Sequence, residues 1–203
     1  MAPKKRFKKK SASKWHSNDS APKGATTPLH AAARSGDAAA ITALLVGGDH
    51  MKAINARDEH ARTALHLAAW AGSAPALEAL VKAGADVALG AVDRTTALHF
   101  AVKKGVAGVE VLLAAGAPVD AACARTEKTP LHLAAAAANA PVVAALLAGG
   151  ANRALRTKQG ATARDLAAEN AELAALFDAA PETTEPTSLG EEADDDGDED
   201  AFI

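Results

Sequence analysis

The chain carries a single cysteine, Cys123, in 203 residues. A disulfide framework is excluded, as is a zinc site built on several thiolates. Such cysteine usage fits a reducing, intracellular compartment. Tyrosine is absent and aromatics make up 3% of the chain. An antiparallel sandwich or barrel, which leans on β-branched and aromatic residues, is therefore not expected. The basic N-terminal stretch is not followed by an apolar run, so it does not read as a secretory signal. It is rich in lysine rather than arginine, unlike a mitochondrial presequence. One window, Leu133 to Ala151, lacks charge over about the length a bilayer needs. It contains Asn139, Pro141, Gly149 and Gly150, and alanine outnumbers leucine in it, so no membrane span is expected. There is no nucleophile motif and no phosphate loop, because neither Gly47-Gly48 nor Gly149-Gly150 is followed by Lys-Ser/Thr. No catalytic residue, cofactor or metal is read from the chain.

What is present is alanine, the best helix former, and charge sorted to the two ends. Residues 1–24 hold eight bases and one acid, whereas residues 178–203 hold eleven acids and no base. The middle is close to neutral, with 14 bases and 13 acids. Blocks of this kind read as solvated, disordered tails. The expected organisation is a basic tail over 1–24, a folded domain over 25–178 and an acidic tail over 179–203.

The folded part repeats itself. Thr27-Pro28-Leu29-His30 returns as Thr63-Ala64-Leu65-His66, Thr96-Ala97-Leu98-His99 and Thr129-Pro130-Leu131-His132. A weaker fifth copy runs from Thr162 to Ala167, with Asp165 in the histidine position. Successive threonines are 36, 33, 33 and 33 residues apart. Each of the first four copies continues through alanines to an aliphatic pair: Leu44-Leu45, Leu80-Val81, Leu112-Leu113 and Leu146-Leu147. A glycine follows three residues after each pair, at Gly48, Gly84, Gly116 and Gly150. The chemistry of the positions suits a helix pair. Threonine caps a first helix, proline fits its first turn, and Gly36, Gly72 and Gly105 stand where a left-handed residue ends it.

The pattern resembles the ankyrin repeat, with its 33-residue period and Thr-Pro-Leu-His-x-Ala signature. The resemblance covers about residues 25–178. It implies an all-α solenoid of helix-turn-helix units with hairpin-like fingers, four repeats plus a capping fifth. Departures carry expectations of their own. The first repeat is three residues longer between Leu45 and Asn55, so the finger with Asp49, His50 and Met51 should project further. The third repeat loses a residue between Gly105 and Leu112 and regains one before Thr129, so the finger holding Pro118 and Cys123 should be irregular. In the fourth, Ala138 replaces the glycine, and Asn139 is expected to take the left-handed conformation. The fifth is expected to have a short second helix ending near Leu176 and Phe177.

The repeat also disposes of the histidines. His30, His66, His99 and His132 recur one packing distance apart, roughly 10 Å, too far to share a metal. The resemblance gives them a hydrogen bond to turn backbone. His16, His50 and His60 form no ligand spacing.

In ankyrin repeats, partners lie against finger tips and the exposed face of the first helices. The positions seven and eight after each threonine are Arg34 and Ser35, Trp70 and Ala71, Lys103 and Lys104, Ala136 and Ala137. The finger positions are Glu59, His60 and Arg62; Val92, Asp93 and Thr95; Arg125, Thr126 and Lys128; Lys158 and Gln159. Seven of these are basic, against the two acids Glu59 and Asp93. Trp and Arg are typical interface anchors. The expected function is a non-enzymatic adaptor or scaffold. Its groove would take an acidic or amphipathic protein segment, with Trp70, Lys103, Lys104 and Arg62 central. The plain alternative is that the charges solvate the face and Trp70 tucks against a neighbouring repeat. A rival function places the work in the tails. Lys4, Lys5, Arg6, Lys8, Lys9 and Lys10 read as a nuclear import signal or a nucleic-acid arm, and the acidic tail would contact basic proteins. Location is read as intracellular, in the nucleus, the cytoplasm or both, and the sequence leaves the oligomeric state open, with a monomer favoured.

Overall fold

The computed structural model describes residues 26–46, 53–167 and 170–179. The basic block with Lys4, Lys5, Arg6, Lys8, Lys9 and Lys10, the acidic block from residue 180 onward, and the part of the first finger with Asp49, His50 and Met51 lie outside the described residues.

Among the described residues ten α-helices follow one another in pairs: α1 (Pro28–Ser35) and α2 (Ala38–Val46), α3 (Ala64–Ala71) and α4 (Ala74–Lys82), α5 (Ala97–Ala101) and α6 (Val106–Ala114), α7 (Pro130–Ala136) and α8 (Ala140–Ala148), α9 (Ala163–Leu166) and α10 (Ala171–Ala179). First helices pack on first helices and second on second, so the pairs stack into two rows. No unit has enough apolar surface to close on itself, and stacking makes one continuous core. Leu29, Leu65, Leu98 and Leu131 from the first row are buried in it, with Leu77, Leu80, Val109, Leu112, Val143 and Leu146 from the second. Of each aliphatic pair in the second, third and fourth repeats, the first member is sealed and the second half-buried. The charge-free window from Leu133 to Ala151 is split between α7 and α8, and among the described residues no helix is long and apolar enough to cross a membrane.

Each first helix starts on a reciprocal cap. The Thr27, Thr63, Thr96 and Thr129 backbone N–H groups each donate to Nδ1 of the histidine three residues on, at 3.2 Å. Thr27 Oγ1 in turn accepts from the His30 N–H at 3.4 Å. In the fifth copy Asp165 does the histidine's work: its Oδ2 accepts from Thr162 N–H at 2.8 Å. That bond holds the Asp165 carboxyl below its ordinary range.

Three local expectations need correction. Ala138, not Asn139, takes the positive φ, at 52°. Asn139 is extended toward φ −94° and caps α8 by accepting from Val142 N–H at 3.3 Å. The amide side chain is worth more as a cap than as a left-handed residue, so alanine is left with the strained turn. Gly105 has a positive φ but not the helical one: φ 140°, ψ 175°. α5 ends early at Ala101, and the residue deleted from this repeat is the one that caps the second helix elsewhere, as Ser73 and Asn139 do. Finally, the fifth unit is short in its first helix rather than its second. α9 has 4 residues and α10 has 9.

Candidate protein-binding face

The fingers form one bank of the face. Asp58 to Arg62 is closed by the Asp58 N–H donating to the Arg62 carbonyl at 2.9 Å. Ala91–Thr95 and Thr157–Ala161 close the same way, at 2.8 and 2.9 Å. The third finger closes between Cys123 and Lys128, at 3.0 Å, one residue wider, which is the irregularity the spacing implied. Each finger then bonds to the next: Val92 N–H to the His60 carbonyl at 3.3 Å, Ala124 N–H to Asp93 at 2.8 Å, and Lys158 N–H to Thr126 at 3.0 Å.

The histidines tie the helices to these fingers. The Nε2–H of His30 donates to the Arg62 carbonyl at 3.2 Å, that of His66 to Thr95 at 3.1 Å, and that of His99 to Lys128 at 3.3 Å. Each bond crosses from one repeat to the next. Nδ1 accepts while Nε2–H donates, which fixes one tautomer of each ring. Burial lowers the pKa of His66 to about 4, and lowers those of His99 and His132. His132 Nε2 is buried without a hydrogen-bond partner. Among the described residues no group of three or more potential ligands gathers for a metal ion.

The first finger is built around Asp58, which is buried. Its Oδ1 accepts from the His60 and Arg62 N–H groups at 2.9 and 2.8 Å, and its Oδ2 from Arg62 Nε at 2.9 Å. Burial alone would raise the Asp58 pKa, but the bonds from Arg62 and His60 outweigh it and hold the carboxyl low. Arg62 is thus half-buried and already paired. Glu59 and His60 lie exposed side by side at 3.6 Å. Asp93, Arg125 and Lys158 are exposed, and Lys128 is half-buried. Cys123 is buried, and burial raises its thiol pKa.

The other bank is formed by the ends of the first-row helices. Arg34 lies in the last turn of α1, Trp70 in that of α3, and Lys103 and Lys104 in the turn after α5. Trp70 is 53% exposed, and Lys104 Nζ stands over its ring at 5.0 Å from the centroid. A cation in this position is attracted by the ring's negative face, by about 0.5–1 kcal/mol when exposed. The structure therefore couples Trp70 to Lys104. It places Arg62 and the other finger candidates on the opposite bank. Among the described residues, Arg34, Lys103 and Lys104 form no ion pair. Beyond them the bank turns apolar, with Ala136 and Ala137 exposed.

A family model described as ankyrin repeats, three copies, matches residues 7–91, 29–123, 82–157 and 98–179. The chain belongs to the ankyrin-repeat family. No curated protein matches it. Ankyrin repeats are protein–protein interaction modules, typically without catalysis. In this ankyrin-repeat chain two exposed groups on the second finger stand out beside the charges singled out from the sequence. Val92 is an apolar finger tip, 58% exposed. Its finger position was legible, but not that the hydrogen bond to His60 would leave its side chain in solvent. Arg94 is exposed, at φ 59°. Its signal is faint: Asp93 beside it tolerates a left-handed turn, and two such residues in succession turn the arginine outward.

Proposed function

We propose that this ankyrin-repeat chain is a non-enzymatic adaptor that holds an acidic or amphipathic segment of a protein partner on its concave face. One observation carries the reading: Trp70 stays half in solvent with the Lys104 ammonium on its ring, on a row of helix ends where Arg34 and Lys103 are also exposed and form no ion pair among the described residues. An exposed tryptophan brings a large rigid contact surface, and exposed cations on the same helix ends select carboxylates. The exposed alanines of the fourth repeat give the same segment an apolar landing.

The test compares two full-length chains at physiological salt, wild type and Trp70→Ala/Lys103→Glu/Lys104→Glu. Both are checked for equal helix content, then used to capture proteins from cell extract. Partners retained by the wild type and lost by the variant are the expected result. With the partner in hand, Trp70→Ala alone should weaken binding by at least about 2 kcal/mol. Capture of the same proteins by both chains refutes the proposal.

A further inference from the structure

The last helix, α10, ends on the finger side of the stack. Arg153, just past α8, donates to the Phe177 carbonyl, and Arg164 of α9 pairs with Asp178 at 2.9 Å. The sequence that leaves this point carries ten acids and no base over residues 180–203. Eight of the acids lie between Glu191 and Asp200, and Ala201, Phe202 and Ile203 follow them. The helix-end bank presents the complement: Lys103 and Lys104 are exposed and form no ion pair among the described residues, and Lys104 stands over the exposed Trp70 ring.

We infer that residues 191–203 occupy this face in the same molecule, the carboxylates on Lys103 and Lys104 and Phe202-Ile203 against Trp70. The inference rests on the reading that the face takes acidic segments, and it makes the acidic block the regulator of that site.

The geometry allows it. Twelve residues separate Ala179 from Glu191 and span up to about 40 Å when extended. Lys103 and Lys104 lie two repeats back, roughly 20 Å at the usual helix spacing. A further 10–15 Å along a first-row helix separates its finger end from its far end. The tether is longer than the path. A segment tethered at this range meets its site at an effective concentration on the order of 1 mM. A partner must therefore displace it, and the apparent Kd rises by a factor of one plus that concentration over the segment's own Kd. A segment that binds at about 100 µM in trans would weaken partner binding about elevenfold. Lys103 and Lys104 are exposed charges, so screening opens the face as salt rises.

The experiment uses the full chain with Trp15→Phe, which leaves Trp70 as its one tryptophan. A second version replaces the eight acids from Glu191 to Asp200 by their amides. Acrylamide quenching of Trp70 is read in both at low salt, and a synthetic peptide of residues 188–203 is titrated into both. Neutralising the block should raise the quenching constant at least twofold. The peptide should bind the neutralised chain more tightly, by the factor its own Kd dictates, and Lys103→Glu/Lys104→Glu should abolish binding. Equal peptide affinity for both chains overturns self-occlusion while leaving the reading of the face intact. No binding to the neutralised chain overturns both. Protection of Trp70 that survives Lys103→Glu/Lys104→Glu, but is lost when Lys4–Lys10 are neutralised, assigns the acidic block to the basic arm and also overturns the inference.

Discussion

Acid should weaken this solenoid through its repeated histidines, and His66 gives the clearest magnitude. The ring is buried, accepts from Thr63 N–H at Nδ1, donates from Nε2 to Thr95, and meets the Phe100 ring in a T-shaped contact at 5.9 Å. A proton on Nδ1 would face the Thr63 N–H that now donates to it. Burial, reinforced by Arg57, sets the folded pKa at about 4, against about 6.5 in the unfolded chain. The folded value is the lower one, so the stability it represents is complete above pH 6.5 and is lost as pH falls toward 4. At pH 5.5 the unfolded ring holds about 0.9 proton and the folded ring almost none, which gives a slope of about 1.2 kcal/mol per pH unit. Over the full window His66 accounts for roughly 3 kcal/mol. His99 and His132 act in the same direction. The assay is urea unfolding by circular dichroism from pH 7.5 to 4.5, in wild type and His66→Gln. The variant starts less stable, having lost the buried ring and its bond to the Thr95 carbonyl, although Gln at this position can still accept from Thr63 N–H. Its curve should be shallower by the His66 slope, so the two converge in acid. Parallel curves, or a His66 ring titrating near 6.5 by NMR in the folded protein, would refute the argument.

Other substitutions test the backbone corrections and the first finger. Ala138→Gly should stabilise the protein by about 0.5–1 kcal/mol, because a left-handed alanine is strained where glycine is not; no gain in the urea midpoint contradicts this. Gly105→Ala should cost about 1–3 kcal/mol although an added Cβ would meet nothing within 4 Å, which isolates backbone strain from packing. A neutral result would show that the turn relaxes. Asp58→Ala removes three hydrogen bonds from a buried carboxylate and frees Arg62, and should cost about 1–3 kcal/mol. At a few degrees of melting temperature per kcal/mol, thermal unfolding detects it. Since the Asp58 pKa is held below 3.8, its contribution fades only below about pH 4, in a window separate from that of His66.

The all-helical stack, its 33-residue unit and its core leucines were legible because each repeat must solve the same local problem. Leu29, Leu65, Leu98 and Leu131 can bury themselves only against the next copy, so their register shows in the sequence. The histidines were legible as structural for the same reason, since a metal site would not recur at a packing distance. The sequence did not show that Asp165 could replace histidine in the cap, because any acceptor that reaches Thr162 N–H serves. Ala138 and Asn139 were misread because two neighbours compete for two roles, and only the start of α8 decides which one the amide fills. The length of α10 depended on packing against α8 and α9, not on its own pattern. On the candidate face, sequence alone supplied the positions and the excess of basic residues. Tertiary structure decided which charges are available: Arg62 is turned back onto Asp58, whereas Lys104 is placed over Trp70. A charge is settled by its nearest partner: Arg62 finds Asp58 only because the finger folds back on itself, and Lys104 meets Trp70 from the neighbouring repeat, where spacing along the chain does not reach.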